Sequence, residues 1–250
     1  MAGVERRMAQ GEDEANTILV TPVWNDSRRL AGYGPELAAV LARHEAAVRW
    51  IIADDGSEPT EHPRLMALRE GFASVYPHVD LHLAEIHRGK GGVILEAWDL
   101  AGRADWYAFV DADGSISGPE MLRLIERARK SGRSTIGVRK ATATTRVEER
   151  WWRGLRHRGF LLACRLLLGL DTEDTQCGAK VIRGEDYRRI RGRLKEVGFA
   201  FDAEMLGIMN AEGIEWDEVP VNWVEKGQSR LRPMDSWRML KALWRIRQRL

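Results

Sequence analysis

Two hydrophobic spacings alternate along the first half of the chain. Short, nearly continuous apolar runs at Thr17–Val23, Val48–Ala53, Val79–Ala84 and Trp106–Val110, each bounded by turn-forming or charged residues, predict buried strands. Between them, Pro35–Ala47, Pro63–Val75 and Gly92–Ala101 space their apolar side chains as a helix does, with Leu37, Val40 and Leu41 on one face. A helix at Pro119–Lys130 and a strand at Thr135–Val138 continue the series. Such alternation predicts an α/β fold with a mostly parallel sheet flanked by helices. Beyond about Thr145 the pattern changes to long, Arg-rich helical segments, Val147–Leu168 and Met234–Leu250, around a short mixed region. The expected organisation is a polar leader (1–15), one domain (16–232, with halves 16–140 and 141–232) and a basic amphipathic helix (233–250).

Composition narrows the class. The 250 residues are 44% hydrophobic and 30% charged, enough for a sizeable core and unlike a disordered chain. Cys164 and Cys177 are the only thiols and form no CxxC pair, which excludes a disulfide scaffold. The six His residues are scattered without metal-ligand spacing; His78 and His82 fall on a predicted strand edge. The leader is polar and lacks the apolar core of a signal peptide. Phe160 to Leu170, the longest apolar stretch, is interrupted by Arg165 and falls short of the ~20 residues of a spanning helix. A cytoplasmic protein without a membrane span is expected. The net charge of +2 hides an asymmetry: residues 1–125 sum to −8 and 126–250 to +10. A basic second half points to an anionic partner: nucleic acid, a membrane or a phosphate.

The candidate chemistry sits where strands end, because open α/β sheets bind ligands beyond the carboxyl ends of their strands. Trp24-Asn25-Asp26 follows the first strand, Asp54-Asp55-Gly56-Ser57 the second and Asp111-Ala112-Asp113-Gly114 the fourth. Two carboxylates one residue apart, Asp111 and Asp113, can share Mg²⁺ or Mn²⁺, which would bridge them to a diphosphate. The alternative is a turn in which Asp and Gly supply only local hydrogen bonds. Asp55 suits a base or ribose contact. Lys90, in Arg88-Gly89-Lys90-Gly91-Gly92, lacks P-loop spacing, and its glycines would let backbone approach a nucleotide.

Taken in order, Val20–Asp26, Ile52–Ser57, His87–Gly92, Phe109–Gly114 and Asp174-Thr175-Gln176-Cys177-Gly178-Ala179-Lys180 resemble glycosyltransferase family 2, of the GT-A nucleotide-diphospho-sugar transferase fold. The last motif is similar to the polyprenyl-phosphate sugar transferases, especially the dolichyl-phosphate glucosyltransferase branch. The resemblance spans roughly Asn16 to Arg232 and makes 16–140 a nucleotide-sugar half and 141–232 an acceptor half. It implies that Pro22, Trp24 and Asp26 line the nucleotide site, with Ala53 and Asp55 at the base, Lys90 near the nucleotide sugar, and Asp111, Ala112 and Asp113 at the metal and diphosphate. Ser115 replaces a Gln common in the mannosyl branch. Trp24 and Asp26 replace the usual Tyr and Glu, which leaves base choice open. Arg139 and Arg153 align with phosphate-binding arginines, Gln176 is implied to bind substrate, and Lys226 and Arg230 match a late loop that closes over the site.

The implied reaction is metal-dependent, inverting transfer of a hexose, glucose before mannose, from a nucleoside diphosphate to a polyprenyl phosphate. Arg and Lys suit it because acceptor and leaving group are both anionic. An acceptor phosphate is already ionised and needs no base. A hydroxyl acceptor would need one, and Asp174 or Glu173 would fill that role; Asp174's other reading is a turn or helix cap. Two Trp- and Leu-bearing basic helices, from Trp151 and from Trp237, suit peripheral contact with a membrane or packing on the sheet. A nucleotidyltransferase is disfavoured, since Thr21–Ser27 contains no Gly. The non-catalytic alternative is a basic nucleic-acid or membrane scaffold. The interleaved Trp and Leu argue against nucleic acid.

Overall fold

The computed structural model describes residues 17–44, 47–148, 151–226 and 233–250. Seven strands form one sheet in the order β3-β2-β1-β4-β7-β5-β8: β1 Thr17–Val23, β2 Val48–Asp54, β3 Val79–Leu83, β4 Trp106–Val110, β5 Ser134–Val138, β7 Ala179–Arg183 and β8 Trp216–Pro220. Only β7 runs against its neighbours, β4 and β5; the other four pairings are parallel. The mostly parallel α/β sheet is thus as expected. A separate parallel pair joins β6 (Val147–Glu148) to β9 (Trp223–Val224).

Central strands buried on both faces account for the continuous apolar runs. Trp106–Val110 is buried throughout, as is Val48–Asp54 except at Arg49. Helices α1 (Ser27–Leu41), α2 (His62–Ala73) and α4 (Gly118–Ser131) cover one face. There Leu30, Tyr33, Leu37 and Leu41 of α1 meet Leu65 and Phe72 of α2 and Met121 and Ile125 of α4. Helices α3 (Lys90–Ala101), α5 (Trp151–Leu168), α6 (Gly184–Ile190), α7 (Phe201–Ala211) and α8 (Pro233–Arg247) cover the other. Their core runs from Ile18 and Val93 through Phe160, Cys164 and Phe201 to Leu243 and Ile246. Helix α4 shows why its ends fall where they do: the Ser117 hydroxyl caps Glu120 N–H, and Gly132 closes the last turn at φ +69°.

Two helix expectations need correction. Pro35 does not open a helix; α1 begins at Ser27 and carries Pro35 in its interior. The stripe Leu30, Tyr33, Leu37, Ala38 and Leu41 is buried on both sides of the proline, and that burial outweighs the ~3 kcal/mol penalty of an interior Pro. Gly34 takes part, since a Cβ there would lie 2.1 Å from the Phe72 ring. The segment Val147–Leu168 is likewise not one helix: Val147–Glu148 is strand β6, and α5 starts at Trp151.

The topology places the chemistry. Because β1, β2, β3, β4, β5 and β8 all point one way, their carboxyl ends share one edge of the sheet. Antiparallel β7 brings its amino end to that edge, with Ala179 opposite Val110. The order reversal between β1 and β4 opens the crevice there.

Candidate active site

At this edge the residues after β1, β2 and β3 lock together. Asp54 is fully buried and accepts from the Ser57 N–H at 3.0 Å and from the Ser57 hydroxyl. Ser57 in turn receives Asn25 N–H at 2.7 Å, fixing Asn25 at φ +46°. Asp55 accepts the backbone N–H groups of Arg88 and Gly89 at 2.7 and 2.8 Å and pairs with His87 Nδ1 at 2.9 Å. Burial pushes its carboxyl up, partly offset by those N–H groups and His87. The His87 ring stacks on Trp24, centroids 4.1 Å apart at 20°. Trp24 remains 41% exposed, so an aromatic ledge stands over the Asp55 loop. Pro22 lies opposite Ala53 in the β1–β2 ladder, and the Ala53 methyl is wholly within the core, so only its backbone can face a nucleoside. Asp26 starts α1 and pairs with Arg29 at 3.3 Å.

The acidic pair lies at the switch point. Asp111 N–H donates to Gly178 O at 2.9 Å, and Gly178 presses so closely that a Cβ would sit 2.1 Å from Asp111 Oδ2. The Asp111 side chain is two-fifths exposed and meets Lys90 Nζ at 2.9 Å. Surrounding protein pushes its carboxyl up, with Asp113 and Asp202 adding to the rise and Lys90 opposing it. Asp113 receives Ser115 N–H at 2.8 Å; Ser115 is buried. Ala112 is packed into the core. Lys226 reaches the same loop, its Nζ 3.2 Å from where a Gly114 Cβ would be. Tyr33 is buried beside this loop, its hydroxyl without a hydrogen-bond partner among the described residues. Burial first, then Glu36, Asp113 and Asp111, hold that phenol protonated.

Behind Lys90 lies a network that sequence reasoning missed. Lys90 also approaches Asp202 at 3.5 Å, and Asp202 binds the fully buried Lys180 at 2.6 Å. Burial would lower the Lys90 pKa, but Asp111 and Asp202 outweigh it and hold the ammonium charged. Both ammonium groups lie over Phe109, at 4.9 and 5.4 Å. Lys180 stands in the quoted Asp174–Lys180 motif and Asp202 opens α7. Strand β7 carries one and helix α7 the other, and no sequence spacing pairs them.

Arg139, just past β5, is gripped by Asp174. Its Nε and Nη2 donate to the two carboxylate oxygens at 2.6 and 2.9 Å, and its N–H at 3.1 Å. Asp174 is 1% exposed and also accepts Gln176 N–H at 2.9 Å. Burial alone would raise its carboxyl, but Arg139, His157 and that N–H hold it well below the usual range. Arg139 also meets His157 Nδ1 at 3.0 Å and the Trp223 ring at 5.6 Å. Gln176 reaches Met239 Sδ of α8 at 4.0 Å. The Arg153 side chain and all of Arg230 lie outside the described residues.

No protein-family model matches the chain. Among curated proteins it is 30% identical to the dolichyl-phosphate β-glucosyltransferase of Dictyostelium discoideum, across 94% of this chain and 75% of that protein. The chain belongs to the dolichyl-phosphate β-glucosyltransferase family. The Saccharomyces cerevisiae member is 26% identical across 95% of the chain and 76% of its own length. Among solved structures, the glucosyl-3-phosphoglycerate synthase of Mycobacterium tuberculosis, in complex with Mn²⁺, UDP-glucose and phosphoglyceric acid, superposes with a TM-score of 0.64 at 16% identity. That match covers 94% of this chain and 80% of the synthase, and at such identity it shows the fold, that of a GT-A glycosyltransferase.

For a member of this glucosyltransferase family, the donor set fits a hard divalent cation. No group of three or more His, Cys, Asp or Glu gathers among the described residues, so Asp111 and Asp113 would leave the remaining positions to diphosphate oxygens and water.

Proposed function

We propose that the protein transfers glucose from a nucleoside diphosphate sugar, UDP-glucose first, to a polyprenyl phosphate with inversion. The observation that carries this reading is the pairing of an acidic donor corner with a separately held guanidinium, on one sheet edge, in a chain of this family. Trp24, His87 and Asp55 frame the nucleoside, and Asp111 and Asp113 would hold Mg²⁺ or Mn²⁺. When bound, the cation offsets charge on the departing diphosphate. Lys90, kept charged between Asp111 and Asp202, and Lys226, beside Gly114, offer further positive charge to that diphosphate. Arg139, oriented by Asp174, addresses the acceptor phosphate with Arg153 and Arg230, placing its ionised oxygen for in-line attack at the anomeric carbon. The new glycosyl–phosphate bond forms as the bond to the diphosphate breaks, and no proton has to be removed from the nucleophile.

The Asp174 geometry opposes the hydroxyl-acceptor alternative. A base needs a free lone pair and a pKa near the working pH, whereas Asp174 is buried, bound through both oxygens to Arg139 and depressed in pKa. The lipid acceptor implies work at a membrane surface; among the described residues no helix is long and apolar enough to cross one. The test is a thermal-shift series with UDP-, GDP-, CDP- and TDP-glucose plus Mn²⁺, followed by transfer of labelled glucose to polyprenyl phosphate. Metal-dependent stabilisation by one donor and a labelled, acid-labile lipid product are expected. Stabilisation by none, or transfer only to a hydroxyl acceptor, would overturn the reading.

A further inference from the structure

Four charged side chains from four places in the fold meet behind the acidic pair. Lys90 opens α3, Asp111 follows β4, Lys180 lies on β7 and Asp202 is in the first turn of α7. Asp202 divides its carboxylate: Oδ1 accepts from Lys180 Nζ at 2.6 Å, and Oδ2 lies 3.5 Å from Lys90 Nζ. The Lys180 side chain has no exposed surface and donates also to Cys177 O at 2.8 Å. It is committed to Asp202 and does not reach the crevice. Asp111, by contrast, is two-fifths exposed, and its Oδ1 holds Lys90 Nζ at 2.9 Å. Lys90 therefore stands between an exposed carboxylate and a buried one that already has a lysine.

The backbone around these groups is fixed. A Cβ on Gly91 would lie 2.5 Å from Phe201 Cβ, and Gly92 N–H donates to Val197 O at 3.0 Å. The first turns of α3 and α7 are thus pressed together. Because both carboxylates lie within 3.5 Å of the ammonium, rotation of the terminal bonds of Lys90 suffices to favour one or the other. A buried pair such as Lys180–Asp202 adds little stability by itself. What it does supply is a carboxylate with one oxygen aimed at Lys90.

We infer that Lys90 competes with the divalent cation for Asp111, and that Asp202, aimed by Lys180, is the positioning residue that takes the Lys90 ammonium when Asp111 turns to the cation. Two positive charges on one carboxylate repel each other, and a lysine with no second partner would be left uncompensated in a buried place. With Asp202 beside it, Lys90 gives up Asp111 without leaving the site and keeps its charge near the diphosphate. The inference deepens the proposed reaction and rests on its assignment of Asp111 to the cation.

The test is titration of the full chain with Mn²⁺ in the absence of nucleotide, free Mn²⁺ being followed by electron paramagnetic resonance. Lys90→Met removes the competitor and should tighten Mn²⁺ binding about tenfold. Asp202→Asn with Lys180→Met removes both charges of the buried pair and should weaken binding about tenfold, because Lys90 then has Asp111 alone. Asp202→Asn by itself is the second variant, should the pair fail to fold, and is expected to act in the same direction. Adding Lys90→Met to either should restore binding at least to that of the parent. A merely structural pair would lower the melting temperature without this dependence on Lys90. Unchanged or weaker Mn²⁺ binding in folded Lys90→Met, or a loss in the Asp202 variants that persists without Lys90, would overturn the inference. Labelled-glucose transfer by the parent would in that case leave the proposed function standing. A parent that binds no Mn²⁺, with UDP or without it, would overturn the assignment of Asp111 and the inference together.

Discussion

Gly178→Ala probes how tightly the acidic pair is seated. The new Cβ would lie 2.1 Å from Asp111 Oδ2 and 2.6 Å from its Cγ. Restoring ordinary contact near 3.4 Å requires the carboxylate to retreat by about 1.3 Å. The backbone cannot absorb this easily, since Gly178 O holds Asp111 N–H and the next pair, Ala179 and Val110, is fixed in the β4–β7 ladder. A misplacement of about 1 Å costs on the order of 10²-fold in rate, equivalent to about 2.7 kcal/mol in the activation barrier. Overpacking adds a stability loss of ~1–3 kcal/mol, about 2–4 °C in Tm per kcal/mol at this chain length. We therefore expect kcat/KM for labelled-glucose transfer to fall about a hundredfold, with Mn²⁺-dependent stabilisation by the nucleotide sugar weakened in parallel. A folded variant with activity within about threefold of the parent would refute the assignment of Asp111 to the reacting site.

Asp174→Asn removes the buried carboxylate charge that two Arg139 side-chain bonds require, so a stability loss of ~3–5 kcal/mol by urea titration is expected along with loss of transfer. A fall in kcat with an unchanged melting point would instead identify Asp174 as a base. Because the folded-state pKa of Asp174 is depressed, its stabilisation is present above the unfolded carboxylate pKa of about 3.9 and is lost as pH falls below it. The parent-minus-Asn difference in urea midpoint should hold from neutrality to about pH 4 and shrink below that. Burial pushes the Cys164 and Cys177 thiols up to about 12, so neither should react with a thiol reagent at pH 8 until the chain unfolds; prompt labelling of the native protein would contradict their packing. Gly71→Ala, in α2 where a Cβ meets nothing within 4 Å, should raise stability by about 0.8–1 kcal/mol and leave transfer unchanged.

The legibility of the chain follows from how local each signal is. Buried parallel strands announce themselves as apolar runs, and β1 and β4 begin and end where the runs do, at Thr17–Val23 and Trp106–Val110. Strand ends that carry Asp54-Asp55 and Asp111-Ala112-Asp113 are equally local. What sequence cannot display is a contact made by tertiary register. Lys180 reads as one polar residue in an apolar strand until Asp202 arrives from α7 to neutralise it. His87 reads as a loop residue until its ring lies on Trp24. Asp174 reads equally as base or cap because its spacing says nothing of Arg139, which is 35 residues away in sequence. The α1 boundary is hidden for another reason: Pro35 is a strong local stop, and the buried face that overrides it is formed with α2 and α4.

Opposed charges meet at the site. Asp111 carries Lys90, Lys90 leans on Asp202, and Asp202 is bound to Lys180, so the acidic corner is already balanced before any cation or nucleotide arrives. Arg139 is likewise balanced by Asp174. Buried charges persist only when paired, and pairing fixes the direction in which each faces the crevice. A divalent cation joining Asp111 and Asp113 would share Asp111 with Lys90, and Asp202 offers that ammonium a second partner close by. The diphosphate then supplies the negative charge that the added cation requires. On this reasoning metal and nucleotide should bind more tightly together than either does alone, because each corrects the imbalance the other creates.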